Sequence, residues 1–76
     1  MEIREETLDR RGLKCPLPAL LARRHLNRAQ AGTIVRVLAD DPMAFIDVPH
    51  MCRSEGFEVL EVRRDGEEAC IELRKP

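Results

Sequence analysis

The sequence predicts an α+β fold, a two-layer β-α-β-α-β-β sandwich with a mixed four-stranded sheet in the order 1-2-4-3 and two helices on one face. Three observations carry this expectation. Strand-like and helix-like segments alternate along the first two thirds of the chain, each bounded by glycine or proline. Asp65-Gly66 then divides two consecutive strand-like runs, the signature of a hairpin. Finally, the length of 76 residues holds one domain, spanning residues 1–76. Right-handed crossovers place both helices on one face, and the hairpin lets the fourth strand fill a gap between the second and third.

Glu5 to Asp9 is a short first strand, weak by propensity, and Arg11-Gly12 is a turn. Leu17 to Ala31 reads as the first helix, rich in good helix formers, with Ala19, Ala22, Leu26 and Ala29 as a buried stripe and Gly32 as the stop. Ile34 to Ala39 is a strand with Val35, Val37 and Ala39 on one face and Arg36 on the other. Asp41 suits the N-cap of a second helix and Pro42 its first position; the helix runs to about Glu55 and stops at Gly56. Pro49 should break or kink it near Asp47-Val48, with Asp47 placed to recap the second part. Glu58 to Arg64 and Glu68 to Arg74 are the last two strands, and Ala69, Ile71 and Leu73 alternate with Cys70, Glu72 and Arg74 as in a sheet packed on one face.

Composition narrows the function classes. Hydrophobic residues make up 43% of the chain and charged residues 36%, which fits a globular domain with a thin core. Two Phe and no Trp or Tyr leave that core to Leu, Val, Ile and Ala. No apolar run approaches a membrane span, and the acidic start Met1-Glu2-Ile3-Arg4-Glu5-Glu6 is unlike a signal peptide. Three cysteines at unrelated spacings, without an export signal, predict a reducing cytoplasmic location and no required disulfide. The net charge of −1 hides an asymmetry: the seven basic residues from Arg10 to Arg36 are accompanied by no acid, and all fourteen acids lie outside that segment.

The chemistry concentrates in Leu8-Asp9-Arg10-Arg11-Gly12-Leu13-Lys14-Cys15-Pro16-Leu17-Pro18. Pro16 suits the first position of the helix, which makes Cys15 its N-cap, at the positive end of the helix dipole. A thiol placed there, with Arg10, Arg11 and Lys14 before it, has a lowered pKa and is nucleophilic as the thiolate. Pro18 stands where a Cys-x-x-Cys redox motif needs its second cysteine, so the site has one sulfur and no resolving partner. These residues assign Cys15 as the catalytic thiol, Arg10, Arg11 and Lys14 to anion stabilisation and partner binding, and Pro16 and Pro18 to positioning the helix.

Leu8-Asp9-x-Arg11-Gly12-Leu13-x-Cys15-Pro16-x-Pro18 closely resembles the signature of the TusA/SirA-like sulfur-carrier family. The resemblance continues through Gly32, Val37, Ala39-Asp40-Asp41-Pro42, Asp47-x-Pro49 and Gly56 to the tail Leu73-Arg74-Lys75. It implies a β-α-β-α-β-β protein whose motif cysteine accepts sulfane sulfur as a persulfide and passes it on. The implied activity is sulfurtransferase-like, that of a carrier with a covalent persulfide and not a free-standing enzyme. Its donor would be a cysteine desulfurase or a rhodanese-type sulfurtransferase and its acceptor another sulfur-relay protein. Transfer RNA thiolation, molybdenum-enzyme sulfuration and sulfur oxidation all use such carriers. The implied cofactor is none beyond the sulfur held on Cys15, and no membrane or DNA partner is expected. The absence of a second cysteine fits a carrier, because a resolving thiol would attack the persulfide and expel hydrosulfide.

The remaining candidates read differently. Cys52 lies four residues after Val48 and belongs to the core; Cys70 lies on the open sheet face, and both are structural. His25 is ~15 Å along the helix from Cys15, too far to be its base, and no Cys/His spacing marks a metal site. Asp40 and Asp41 read as caps, and Arg23, Arg24 and Arg28 as a solvated helix face. Two further functions fit parts of the sequence. One is an RNA-binding or regulatory module without sulfur transfer, opposed by the lack of aromatic stacking residues in the basic segment. The other is a redox sensor in which Cys15 forms a sulfenic acid.

Overall fold

The computed structural model describes residues 4–14 and 17–76. Six elements follow one another: β1 (Glu5–Asp9), α1 (Leu17–Arg28), β2 (Ile34–Ala39), α2 (Ala44–Glu55), β3 (Glu58–Asp65) and β4 (Glu68–Arg74). The sheet order is β1-β2-β4-β3, as the connections predict. β1 and β2 are parallel, and β4 runs antiparallel to both β2 and β3. Leu8, Val35, Val37, Ala39, Ala69, Ile71 and Leu73 turn to one face, where they bury with Ala19, Ala22 and Leu26 of α1 and Ala44, Val48 and Cys52 of α2. Both helices therefore cover one side of the sheet, held by apolar burial on the alternating face of each strand.

The open face is a lattice of charge. Arg36 lies 3.3 Å from Glu5 and 3.9 Å from Glu72, Arg63 lies 2.7 Å from Glu61, and Arg74 lies 3.6 Å from Glu58. A bulge between Val59 and Glu61 changes the alternation of β3. Val62 consequently pairs with core-facing Ile71 and lies on the helix side, while Leu60 falls in the bulge. Of Leu38, Leu60 and Val62, Leu38 alone sits squarely on the open face, opposite Cys70.

Four boundaries differ from the sequence reading. α1 ends at Arg28, not Ala31. The Lys75 ammonium donates to the carbonyls of Asn27 and Ala29 at 3.2 and 2.9 Å, which satisfies acceptors that a longer helix would have used. Gly32 serves the following turn, which Thr33 closes by donating its N–H to Gln30 at 3.1 Å.

α2 begins at Ala44, not Pro42. Asp41 instead caps a lead-in turn, its side chain accepting the Met43 N–H at 2.9 Å and its carbonyl the Ala44 N–H at 2.9 Å. Pro49 does not break α2, which is continuous to Glu55. The proline is buried beside Val48, and its packing in the core offsets the single backbone hydrogen bond it cannot donate. In the hairpin, Asp65 pairs with Glu68, so the central turn residues are Gly66 and Glu67, not Asp65-Gly66. Gly66 has φ of +61° and Glu67 has negative φ, the arrangement of a type II′ turn.

Candidate functional site around the β1–α1 loop

Parallel pairing of β1 and β2 sends the loops after both strands to the same edge of the sheet, where sites of open α/β sheets commonly form. The first loop leaves β1 under tight control. The Arg10 N–H donates to the Leu38 carbonyl at 2.8 Å and extends the pairing one residue past Asp9. Arg11 then folds back on Asp9. Its backbone N–H donates to Oδ1 at 3.1 Å, its Nε to Oδ1 at 2.9 Å and its Nη2 to Oδ2 at 2.7 Å. Glu68 lies within 3.5 Å of the same guanidinium. The side-chain and backbone hydrogen bonds from Arg11 hold the Asp9 carboxyl down at about 2, against an ordinary 3.8. The carboxylates in turn push the Arg11 pKa up.

Gly12 takes φ of +86°, a conformation that side-chain-bearing residues rarely adopt. Its N–H points at the carboxylate of Asp40, with Oδ1 and Oδ2 at 2.9 and 3.0 Å. Asp40 is thus not a helix cap. It ties the β1–α1 loop to the β2–α2 loop. Beyond it the Leu17 N–H donates to the Lys14 carbonyl at 2.9 Å. Cys15 and Pro16 lie outside the described residues. Pro18 is fully buried at the start of α1, where its ring joins the packing that fixes the helix.

The expected trio of cations divides. Arg11 is committed to Asp9 and Glu68. The Arg10 Nη1 reaches the Asp9 carbonyl at 3.3 Å, and its side chain lies toward α1. Lys14 is exposed and has no ion-pair partner among the described residues. With Gly12, Leu13, Asp40, Asp41 and Pro42 it lines a cleft of about 460 Å³ between the two loops.

Two features escaped the sequence reading. The first is the Asp40–Gly12 tie, which depends on the register that sets Asp9 beside Leu38. The second is apolar: Leu17 and Leu20 at the start of α1, and Met43 and Ile46 at the start of α2, are 45% to 61% exposed at this same end. The signal for the second was present in the sequence, because Leu20 lies off the buried stripe of α1 and Ile46 off that of α2.

The other reactive groups are elsewhere. Cys52 is fully buried and burial pushes its pKa up to about 11. Cys70 is half-buried on the open face, in a depression with Arg36, Glu61, Arg63 and Glu72. His25 contacts Glu6 on β1, and His50 is exposed on α2. Among the described residues no three His, Cys, Asp or Glu side chains group as a metal site would require. Arg23 pairs with Glu55 of α2 at 3.3 Å, separating it from Arg24 and Arg28.

Residues 6–75 match the protein family described as "Sulfurtransferase TusA". The chain is 32% identical over 71 residues to the sulfur carrier protein TusA of Pseudomonas putida strain GB-1, covering 93% of this chain and 89% of that one. It is 36% identical over 62 residues to the sulfur carrier protein TusA of Allochromatium vinosum, covering 82% of each. Among solved structures, a SirA-like protein from Desulfitobacterium hafniense superposes with a TM-score of 0.78 at 25% identity, over 91% of this chain and 95% of that chain.

Proposed function

This chain belongs to the TusA sulfurtransferase family, and from that premise we propose that it is a sulfur carrier whose Cys15 holds the transferred sulfur as a persulfide. The observation that carries the reading is the family match itself, which spans the whole Cys15-Pro16-x-Pro18 motif. The relatives bear the description "sulfur carrier protein" across most of their length.

The chemistry needs one thiolate. Cys15 attacks the terminal sulfur of a donor persulfide; the donor's S–S bond breaks, the donor cysteine leaves as thiolate, and Cys15 becomes Cys–S–SH. An acceptor thiolate then attacks that terminal sulfur, and Cys15 is released as thiolate. Both steps are thiol exchange with no net oxidation, so no cofactor is required. The donor is a cysteine desulfurase or a rhodanese-type sulfurtransferase and the acceptor a further relay protein.

The surroundings support this assignment. Lys14, next to Cys15 in the chain, has no ion-pair partner among the described residues and is suited to stabilise an anionic sulfur. Arg11, braced by Asp9 and Glu68, holds the loop that presents it, and Arg10 adds positive field toward α1. The exposed Leu17, Leu20, Met43 and Ile46 offer an apolar surface against which a partner protein can bury its own.

The test is intact mass after incubation with a cysteine desulfurase and free cysteine, and separately with a rhodanese and thiosulfate. Gain of one sulfur, reversed by reductant and absent in Cys15→Ser, is the expected result. Failure with both donors on folded, reduced protein overturns the carrier function.

A further inference from the structure

The arginines of this protein differ in their surroundings. Five of the eleven pair with carboxylates: Arg11 with Asp9, Arg23 with Glu55, Arg36 with Glu5 and Glu72, Arg63 with Glu61 and Arg74 with Glu58. A second set gathers in one groove of about 520 Å³ between β1 and α1. Arg4 and Arg10 reach it from the two ends of β1, and Arg24 and Arg28 from one stripe of α1, four residues apart. The only carboxylate among the described residues that line it is Glu6, which His25 engages. Arg4, Arg24 and Arg28 have no ion-pair partner among the described residues. The Arg10 Nε is buried without an acceptor among the described residues. Four guanidinium groups gathered around the single lining carboxylate among the described residues leave an excess of positive charge, and an anionic occupant relieves their mutual repulsion.

The shape of the wall specifies the occupant. β1 is an edge strand. Its pairing with β2 uses the Arg4 carbonyl, which accepts from Ile34, and the Arg10 N–H, which donates to Leu38. In a parallel ladder alternate residues turn their backbone groups to opposite sides, so Glu5 and Thr7 present theirs outward at the free edge. The groove is therefore bordered by an unpaired row of peptide donors and acceptors. No Phe, Tyr or Trp lines it among the described residues, and its one ring, His25, is engaged with Glu6; a single-stranded nucleic acid would, besides, leave the strand edge unpaired. A small free anion would use the guanidinium groups and leave the strand edge unpaired.

We propose that this groove takes an extended acidic segment of a partner protein, which adds to β1 as a further strand and lays alternate carboxylates against Arg4, Arg10, Arg24 and Arg28. Strand addition supplies main-chain hydrogen bonds, and the arginines select for acidic residues on the side facing α1. The opposite side of the added strand would lie beside Glu5 and Asp9, so acids are favoured at alternate positions only.

The experiment uses the reduced full-length chain and a labelled peptide of alternating glutamate and threonine long enough to span β1. Its readouts are fluorescence anisotropy and amide hydrogen exchange. Expected are salt-sensitive binding, slowed exchange at Glu5 and Thr7, and affinity reduced by about tenfold or more in R24E/R28E. R24Q/R28Q should weaken binding in the same direction by a smaller factor. R53E, which reverses an exposed arginine outside the groove, should leave it unchanged. Binding indifferent to the Arg24 and Arg28 variants overturns the proposal, as does binding without protection of Glu5 and Thr7, or tighter binding of an oligouridylate than of the peptide. No sulfur takes part in this assay, so its outcome is separate from that of the persulfide test.

Discussion

The carboxylate of Asp40 holds the backbone of Gly12, with both oxygens within 3.0 Å of the amide nitrogen. The two residues belong to different loops, and their contact is what couples the end of β2 to the segment leading into Cys15. Asp40→Ala removes the acceptor and leaves the Gly12 N–H to water. Stability should fall by about 1 kcal/mol, the net scale of a typical intramolecular hydrogen bond. Sulfur transfer should slow more than stability alone explains, because the loop loses its register against its neighbour. Urea denaturation and a time course of sulfur uptake by intact mass measure the two effects. Uptake unchanged in the folded variant would show that the tie serves the fold alone.

The Asp9–Arg11 pair gives an acid-side prediction. The folded Asp9 carboxyl titrates at about 2, below its ordinary 3.8, chiefly through the hydrogen bonds from Arg11. A depressed folded pKa contributes stability that is present above the unfolded value and lost as pH falls through the folded one. The contribution of this pair is therefore intact at pH 4 and above and disappears toward about pH 2. In Arg11→Gln the Asp9 midpoint, followed by carboxyl carbon NMR, should rise toward 3.8. An unmoved midpoint would assign the depression to another group.

Much of this arrangement was legible in the sequence because the signals were local. The order of elements and the sheet order followed from alternation, turn residues and crossover handedness, and the β1 and β2 boundaries agree with the structure. The Cys15-Pro16-x-Pro18 motif was likewise readable from adjacent residues. What was not legible depends on distant partners. α1 stops early because Lys75, far along the chain, binds its last carbonyls. Pro49 stays within α2 because the core buries it, which its local propensity does not show. Asp40 looked like a cap because its neighbour Asp41 has that chemistry, and only the register of β1 on β2 brings it to Gly12. The basic helix face divided for the same reason, since Glu55 claims Arg23 while Arg24 and Arg28 turn to β1.

Cys52 gives an alkaline prediction and a reactivity prediction together. Its folded pKa is pushed to about 11 by burial, against an ordinary 9.0. A raised folded pKa contributes stability that is fully present below the unfolded value and lost as pH rises through the folded one, here between about 9 and 11. Cys52→Ala should flatten the fall of the urea midpoint across that range. In a Cys15→Ser background, iodoacetamide at neutral pH should label half-buried Cys70 slowly and Cys52 only after unfolding. Prompt native labelling at two sites would place Cys52 within reach of solvent.

The division of the cations near Cys15 makes their roles separable. Lys14 is exposed and has no ion-pair partner among the described residues, whereas Arg11 is spent on Asp9 and Glu68. A free ammonium adds to the field at the neighbouring sulfur; a guanidinium already paired with two carboxylates adds little, because its charge is offset nearby. Lys14→Gln should therefore raise the thiol pKa of Cys15 and slow sulfur uptake at neutral pH, by a factor on the order of three, without moving the urea midpoint. Arg11→Gln should lower the urea midpoint and leave the thiol pKa near that of the wild type. The pH dependence of Cys15 alkylation, followed in a Cys52→Ala, Cys70→Ser background, reads the thiol pKa directly. If Arg11→Gln raises that pKa as much as Lys14→Gln does, the two cations act on the sulfur alike, and the pairing of Arg11 with Asp9 does not withdraw its charge from the site.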